Sequence, residues 1–155
     1  MIHQLIRTQH IPASLEQVWE FFATPKNLEK MTPDDLKFEI THLNADSMFQ
    51  GQMIGYKIQL APIVNLTWLT EITHIKDDSD TLRYFVDEQR TGPYKIWHHL
   101  HQFEAVDGGV LMTDEVTYLM PFGPLGEIAH ALKVKSQLEG IFTQRAEFTE
   151  KWFTS

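Results

Sequence analysis

The sequence has no cysteine in its 155 residues. This absence excludes disulfide bonds, thiol nucleophiles and zinc–thiolate sites, and it is compatible with a reducing compartment. Long apolar runs are also missing, since no stretch approaches the roughly 20 residues that a membrane-spanning helix needs. The first residues lack the charged segment and apolar run of a signal peptide. These absences predict a soluble, cytoplasmic protein without a membrane span.

Basic residues are scarce. The chain carries 13 Lys and Arg against 21 Asp and Glu, for a formal net charge of −8. No cluster of Lys and Arg interrupts this negative field, which repels phosphate backbones. We therefore expect no nucleic-acid partner and no electrostatic docking on anionic lipid.

Signatures of nucleophilic and cofactor chemistry are absent as well. The sequence contains no Gly-x-Ser-x-Gly motif, no phosphate-binding loop and no dinucleotide fingerprint. The Gly-Pro-Leu-Gly stretch at residues 123–126 is interrupted by proline and indicates a turn before a helix. We predict neither a cofactor nor a resident metal.

What is present is typical of a globular protein, with 43% hydrophobic and 22% charged residues. The length fits one domain, and no linker or internal repeat divides the chain, so residues 1–155 are predicted to form a single domain.

The N-terminal region predicts a strand over residues 2–11 followed by two short helices. Ser14 and Gln17 form a capping-box pattern. The apolar residues Leu15, Val18, Trp19 and Phe22 then recur at helical spacing. A second helix is predicted over residues 25–31, with a turn at residues 32–35 returning the chain to a strand.

The middle of the chain predicts six strands separated by turn residues. They cover residues 38–43, 48–60, 65–76, 82–89, 94–106 and 109–120. One of the turns is the Ala61-Pro62 pair. Short connections favour an antiparallel meander, and Gly51 and Gly55 indicate a bulge or bend in the sheet.

The C-terminal region predicts one long helix over residues 125–153. Its apolar stripe changes direction, so we expect a bend or break around residues 133–136, with the first segment acting as a flap and the second lying on the sheet. The predicted fold class is α+β: a curved antiparallel sheet of about seven strands covered by a long helix, with a cavity between them.

Two neighbouring strands carry the most informative pattern. Trp97, His99, His101 and Phe103 occupy every second position and share one face of their strand. On the next strand, one face is shared by Met112, Asp114, Val116 and Tyr118. If the two faces coincide, an apolar surface holds two imidazoles and a carboxylate, which is typical of a small-molecule pocket.

Three interpretations of the histidine pair remain open. His99, His101 and Asp114 match a divalent-metal site in ligand type. The histidines could equally contact the polar group of a ligand, or pair structurally with Asp114 or water. A buried Asp114 needs a partner, and a carboxylate–imidazole pair in a cavity is also how an enzyme builds a general base. His99, His101 and Asp114 are therefore the catalytic candidates if the protein is an enzyme.

Arg145 lies on the same predicted helix face as Ile141 and Phe142. It could be solvated, as most helical arginines are. Alternatively, it could face the cavity and pair with Asp87 or Asp114, or hold a ligand carboxylate through two hydrogen bonds.

Further rows complete the predicted binding surface. On other strands, Phe85, Asp87 and Gln89 share a face, as do Trp68 and Thr70. The predicted ligand-binding residues are Trp68, Thr70, Phe85, Asp87, Gln89, Trp97, His99, His101, Phe103, Met112, Asp114, Val116, Tyr118, Phe142 and Arg145.

The order of elements resembles the helix-grip fold of the START-like, or SRPBCC, superfamily, which includes the birch-pollen (Bet v 1) type of allergen. Within it, the chain is most similar to a bacterial subgroup of ligand-binding proteins sometimes labelled cell-division-inhibitor-like. The segments that carry this resemblance are residues 85–89, 92–94, 97–103, 108–109, 114–118 and 121–126, with Ile141, Phe142 and Arg145. The resemblance implies a deep cavity under the C-terminal helix.

Three functions follow as hypotheses. The first is the binding or carrying of a hydrophobic small molecule such as a lipid, an isoprenoid, a quinone-like ring or a polycyclic aromatic. The second is an enzyme of the cyclase, dehydratase or isomerase type that uses the His–Asp pair. The third is a regulatory interaction protein that uses the turn at residues 120–126 and the first segment of the last helix. The sequence favours the first and leaves the ligand and the oligomeric state open.

Overall fold

Seven strands and a long C-terminal helix form most of the structure, a computed structural model that describes residues 1–32, 37–61 and 64–155. In chain order the elements are β1 (Ile2–Ile11), α1 (Leu15–Phe22), α2 (Asn27–Met31), β2 (Glu39–His42), β3 (Met53–Ala61), β4 (Val64–Lys76), β5 (Leu82–Thr91), β6 (Ile96–Val106), β7 (Gly109–Leu119), α3 (Pro124–Ala129), a π-helical segment (His130–Val134) and α4 (Lys135–Thr154).

All seven strands belong to one antiparallel sheet, in the order β1-β7-β6-β5-β4-β3-β2. Strands β2 to β7 follow one another as a meander, and β1 pairs with β7 along its whole length, from Ile2 opposite Leu119 to Ile11 opposite Val110. The predicted α+β class, with a curved sheet and a long C-terminal helix, is confirmed. The pairing of β2 with β3 is irregular between Ile40 and His42, opposite Gly55, where the glycine pattern predicted a bulge.

Several element boundaries differ from the sequence prediction. Helix α2 begins at Asn27 instead of residue 25, because the amides of Asn27 and Leu28 close turns onto the carbonyls of Thr24 and Pro25. Strand β3 begins at Met53 instead of residue 48, since Gly51 adopts a left-handed conformation (φ 87°) within a turn. The predicted turns at residues 32–35 and 61–62 include residues 33–35 and Pro62, which lie outside the described residues.

Helix α1 closes one end of the sheet. The Ser14 side chain accepts a hydrogen bond from the Gln17 amide (3.3 Å), and the Gln17 side chain accepts one from the Ser14 amide (3.1 Å), which completes the predicted capping box. The buried residues of α1 are Leu15, Val18, Trp19, Phe21 and Phe22. Trp19 meets Phe85 and Phe103 edge to face, so α1 shares the main core with β5 and β6.

The C-terminal helix is interrupted close to the predicted position. The π-helical segment occupies His130–Val134, whereas the sequence placed a bend around residues 133–136. Beyond it, α4 buries Leu138 and Phe142. Before it, α3 approaches the preceding turn so closely that a Cβ on Gly126 would collide with the Pro121 carbonyl oxygen. None of the helices in the described residues has both the length and the apolarity to cross a bilayer.

Candidate functional site

A cavity of about 380 Å³ lies between the sheet and α4. This volume is at the lower end of the roughly 300–1,000 Å³ that ligand pockets span. Strands β3 to β7 supply one wall and α4 supplies the opposite wall, through Leu138, Ile141 and Phe142 among others. Residues of α2 and its flanks lie at one margin, and Arg7, Thr8 and Gln9 of β1 lie at another.

Strand register brings four polar side chains together in this cavity. Asp87 on β5 lies opposite His99 on β6, and His101 on β6 lies opposite Asp114 on β7. Alternation along each strand turns all four toward α4. We call these four residues the cavity cluster.

The hydrogen bonds within the cavity cluster run diagonally across the strands. His99 Nε2 lies 2.9 Å from Asp114 Oδ1, and His101 Nε2 lies 2.8 Å from Asp87 Oδ2. His101 Nδ1 also lies 2.9 Å from Asp114 Oδ1. Because that nitrogen has no hydrogen-bond partner of acceptable angle among the described residues, we treat this approach as an electrostatic contact. The two imidazole rings face one another with centroids 3.6 Å apart.

The two histidines have opposite protonation preferences. Burial lowers the pKa of His99, and the neighbouring His101 lowers it further, so His99 is neutral at pH 7. Burial also opposes a charge on His101, but its contacts with Asp114 and Asp87 outweigh burial and raise its pKa. In the same way, the imidazole contacts outweigh burial and lower the pKa of both Asp87 and Asp114. The cluster therefore combines two carboxylates, one imidazole whose surroundings favour the protonated form and one whose surroundings favour the neutral form.

Arg145 extends from α4 into the cavity and makes no ion pair with either aspartate. Its Nε atom is buried and has no hydrogen-bond partner in the described part of the chain. Burial lowers the pKa of Arg145, whereas Asp114, Asp87 and Tyr56 act on it through longer-range Coulombic attraction and oppose that effect. The guanidinium carbon lies 5.6 Å from the centre of the Phe142 ring. Of the alternatives that the sequence left open for Arg145, the structure shows a cavity-facing position.

Aromatic rings surround the polar groups. Phe85 stacks on His101 with centroids 4.2 Å apart, and Phe142 meets His99 edge to face at 5.5 Å. Trp97 meets both His99 and Trp68 at nearly right angles. The Nε1 atom of Trp68 is a second buried donor without a partner among the described residues.

Eleven of the fifteen residues predicted to bind ligand line the cavity: Trp68, Thr70, Phe85, Asp87, Trp97, His99, His101, Met112, Asp114, Phe142 and Arg145. The other four do not. The side chain of Gln89 is bonded at both ends to the backbone of Tyr94. Phe103 and Val116 are fully buried in the core, and the Tyr118 hydroxyl bonds to His130 Nε2 at 2.8 Å. The geometry gives these four no place in the cavity wall.

Sequence reasoning missed two features. The first is the wall formed by Tyr56 and Ile58, whose alternation along β3 could have indicated it. The second is a group at the edge of the sheet formed by His3, Tyr118, Glu127 and His130, which we call the edge cluster. In it, His3 stacks on His130 with centroids 3.7 Å apart and contacts Glu127 at 2.9 Å. No local pattern connects residues so far apart in the chain.

Both clusters contain possible metal ligands. Asp87, His99 and His101 place ligand atoms within 4.8 Å of one another, and so do His3, Glu127 and His130. The two imidazole planes are inclined by 35° in the cavity cluster and by 19° in the edge cluster, and in both clusters a ring nitrogen is already hydrogen-bonded to a carboxylate. As it stands, the geometry is that of hydrogen-bonded charge clusters.

The fold and the cavity together define the class of structure. No family model matches the sequence, and no curated protein does. Solved structures do match, and they show that the chain has the helix-grip fold of the START-like, Bet v 1-like proteins. The predicted resemblance is confirmed at the level of fold.

Three of these structures illustrate the likeness. The major latex-like protein 151 of Panax ginseng has a TM-score of 0.69 and 14% identity, with 99% of each chain covered. Norcoclaurine synthase of Thalictrum flavum has a TM-score of 0.66 and 11% identity over 98% of this chain and 86% of that one. A protein of Thermus thermophilus has a TM-score of 0.62 and 18% identity over 95% of this chain and 97% of that one. At these identities the likeness concerns the fold alone.

Proposed function

We propose that this protein binds a small, largely apolar molecule in the cavity under α4. The observation that supports this most directly is the cavity itself: about 380 Å³ of space, with aromatic walls and polar groups gathered at one cluster. Packed interiors leave few voids larger than a water molecule. A space of this size beside orphaned donors is therefore best explained by an occupant.

A neutral fluorophore tests the proposal. N-phenylnaphthylamine should bind saturably to the wild-type protein, and native mass spectrometry of protein purified from its host should detect a retained molecule. Ile141→Trp, which places an indole in the α4 wall of the cavity, should weaken fluorophore binding by about tenfold or more.

Gln144→Trp is the matched control, because Gln144 is exposed on the same helix and does not line the cavity. It should leave binding unchanged. A wild-type protein that is empty, binds no fluorophore and gains no thermal stability from any member of a hydrophobic panel would contradict the proposal.

Acid–base catalysis is a second candidate, favoured by one specific observation. The pKa values of His99 and His101 are moved in opposite directions by their surroundings. Such divergence within one site is what acid–base chemistry requires. His99, neutral and held by Asp114, would take up a proton, and His101 would supply one. Norcoclaurine synthase, which has a similar fold, is a precedent for an enzyme built on this architecture.

Deuterium exchange tests catalysis without a known reaction. Apolar ketones incubated with the protein in D₂O should gain deuterium next to the carbonyl, as measured by mass spectrometry. His99→Gln should abolish this gain. Exchange that is equally fast with wild type, with His99→Gln and without protein would exclude His99 as the base.

The hypothesis of a regulatory partner, the cytoplasmic location and the single-domain organisation remain predictions. The surface that a partner would use carries exposed Phe122 and Leu125.

A further inference from the structure

Arg145 is the least satisfied charged group in the cavity. Burying a charge is costly unless a counter-charge contacts it. Asp87 and Asp114 are the nearest carboxylates that act on Arg145 electrostatically. One oxygen of each, Asp114 Oδ1 and Asp87 Oδ2, is engaged by an imidazole at 2.8–2.9 Å, and neither aspartate forms an ion pair with Arg145. The guanidinium therefore has attraction at a distance and no acceptor in contact.

A second donor in the same cavity also lacks an acceptor. Trp68 lines the wall, and its buried Nε1 has no partner in the described residues. Trp68 lies opposite Tyr56 in the β3–β4 register. Arg145 is near enough to Tyr56 to influence the pKa of its phenol. Two donors without acceptors thus belong to one side of the cavity.

From this mismatch we infer that the molecule bound in the cavity is an apolar carboxylic acid, whose carboxylate pairs with Arg145 and whose body lies against the aromatic wall. This inference rests on the proposed binding function and specifies its ligand class. A guanidinium offers two parallel N–H groups that fit the two oxygens of a carboxylate. Phe142, which lies under the guanidinium, and Trp97 provide the apolar contact surface.

The polar groups around Arg145 favour an acid over a base. An ammonium group in the cavity would be repelled by the like charge of Arg145, and the charge of each aspartate is already shared with a histidine that it contacts. A carboxylate supplies the hydrogen-bond acceptor that the Arg145 guanidinium lacks. A neutral carbonyl also accepts hydrogen bonds, but it supplies no counter-charge to the partly buried guanidinium.

A matched series of naphthalene compounds tests the inference by calorimetry. The series is naphthoate, naphthamide, naphthylmethylamine and unsubstituted naphthalene. Wild type should bind naphthoate about tenfold more tightly than naphthamide, because hydrogen bonds to charged groups exceed those between neutral groups. Naphthylmethylamine should bind most weakly of the four.

Variants locate the origin of this preference. Arg145→Gln should bind naphthoate and naphthamide equally, whereas Arg145→Lys should keep part of the preference through its charge. Trp68→Phe removes only the N–H donor and should reduce naphthoate binding severalfold without affecting naphthalene. The exposed Arg90, which pairs with Glu71 and Glu88, provides the control, since Arg90→Gln should behave as wild type. A folded Arg145→Lys keeps the test informative if Arg145→Gln does not fold.

The outcomes separate this inference from the proposed function. Equal affinity for naphthoate, naphthamide and naphthalene, or a preference unaltered in the Arg145 variants, overturns the carboxylate inference and leaves cavity binding intact. Binding of naphthamide as tightly as naphthoate also overturns it, in favour of a neutral acceptor. If no member binds, naphthalene included, the proposed function fails together with the inference.

Discussion

The cavity cluster and the edge cluster contain the same chemical groups in different surroundings. Each has two imidazole rings face to face at less than 4 Å, with a carboxylate in contact. The cavity cluster is built from three adjacent strands and has two carboxylates for its ring pair. The edge cluster has one, Glu127, which also contacts the Met1 amine, and its parts come from β1, β7, α3 and the π-helical segment.

This difference shows that surroundings decide what a histidine pair does. In the cavity cluster, sheet hydrogen bonds fix the backbone of every member, so charges are held in place beside an open space. In the edge cluster, Glu127 and His130 are fixed only if α3 and the π-helical segment stay docked. The first arrangement presents polar groups to the cavity, and the second connects a helix to the sheet edge.

Asp114→Asn should give the largest loss of stability. Asp114 is the acceptor for His99 and lies against His101, so an amide removes one of the two carboxylates that stabilise the charged form of His101 and leaves only Asp87. Breaking a buried ion pair from one side costs about 3–5 kcal/mol, and we expect about 3 kcal/mol here because the Asp114 side chain keeps slight exposure. Urea unfolding followed by circular dichroism measures this loss. An unaltered unfolding midpoint would mean that the cavity cluster contributes nothing to folding.

Acid should remove much of the difference in stability between wild type and Asp114→Asn. Asp87 and Asp114 have lowered pKa values in the folded state, so their stabilising contribution is present above the ordinary carboxylate pKa of about 4 and is lost as the pH falls toward the folded value. The stability gap between wild type and Asp114→Asn should therefore be largest near pH 5, shrink below about pH 4 as the aspartates gain protons, and narrow again above about pH 6.5 as His101, whose pKa Asp114 raises, loses its proton. Unfolding curves at a series of pH values give this gap, and a gap independent of pH would argue against ionised aspartates.

Tyr118→Phe should have a smaller effect, confined to the edge cluster. It removes the hydrogen bond between the buried Tyr118 hydroxyl and His130 and keeps the ring. The expected loss is about 1 kcal/mol, with faster amide hydrogen exchange in residues 124–134. Binding of the neutral fluorophore should be unchanged, because neither residue lines the cavity. Weakened binding would show that the two clusters are coupled.

Glu127→Gln should give the smallest effect of the series. Glu127 lies at the surface, and its pKa is lowered by hydrogen bonding to the Met1 amine and to His3. Water and salt screen such contacts. The difference from wild type should be slight at low ionic strength and vanish in high salt. A loss comparable to that of Asp114→Asn would contradict the distinction between the clusters.

Most of the fold and much of the cavity cluster could be predicted from the sequence. Alternation along a strand identified the common face of His99 and His101, and short turns implied that β6 and β7 are neighbours. Together these place Asp114 beside the histidines. The same rule brought Phe103 and Val116 into the predicted site, because facing inward does not distinguish the cavity wall from solid core.

The remaining features depend on contacts that no local pattern records. The edge cluster joins His3 to Glu127, 124 positions apart, and forms only once β1 pairs with β7 and α3 docks. The sequence predicted the position of the helix interruption only approximately, for a related reason. Apolar periodicity shows that two stripes differ in direction, but tertiary packing selects where the helix adjusts.

The π-helical segment lets the two parts of the terminal helix point their apolar side chains in different directions. A π turn accommodates one residue more than an α turn while the helix axis continues through it. The extra residue between His130 and Val134 therefore resets the direction of the side chains on either side of it without ending the helix. The row of Leu125, Ile128 and Leu132 can then face solvent while Leu138 and Phe142 are buried against the sheet.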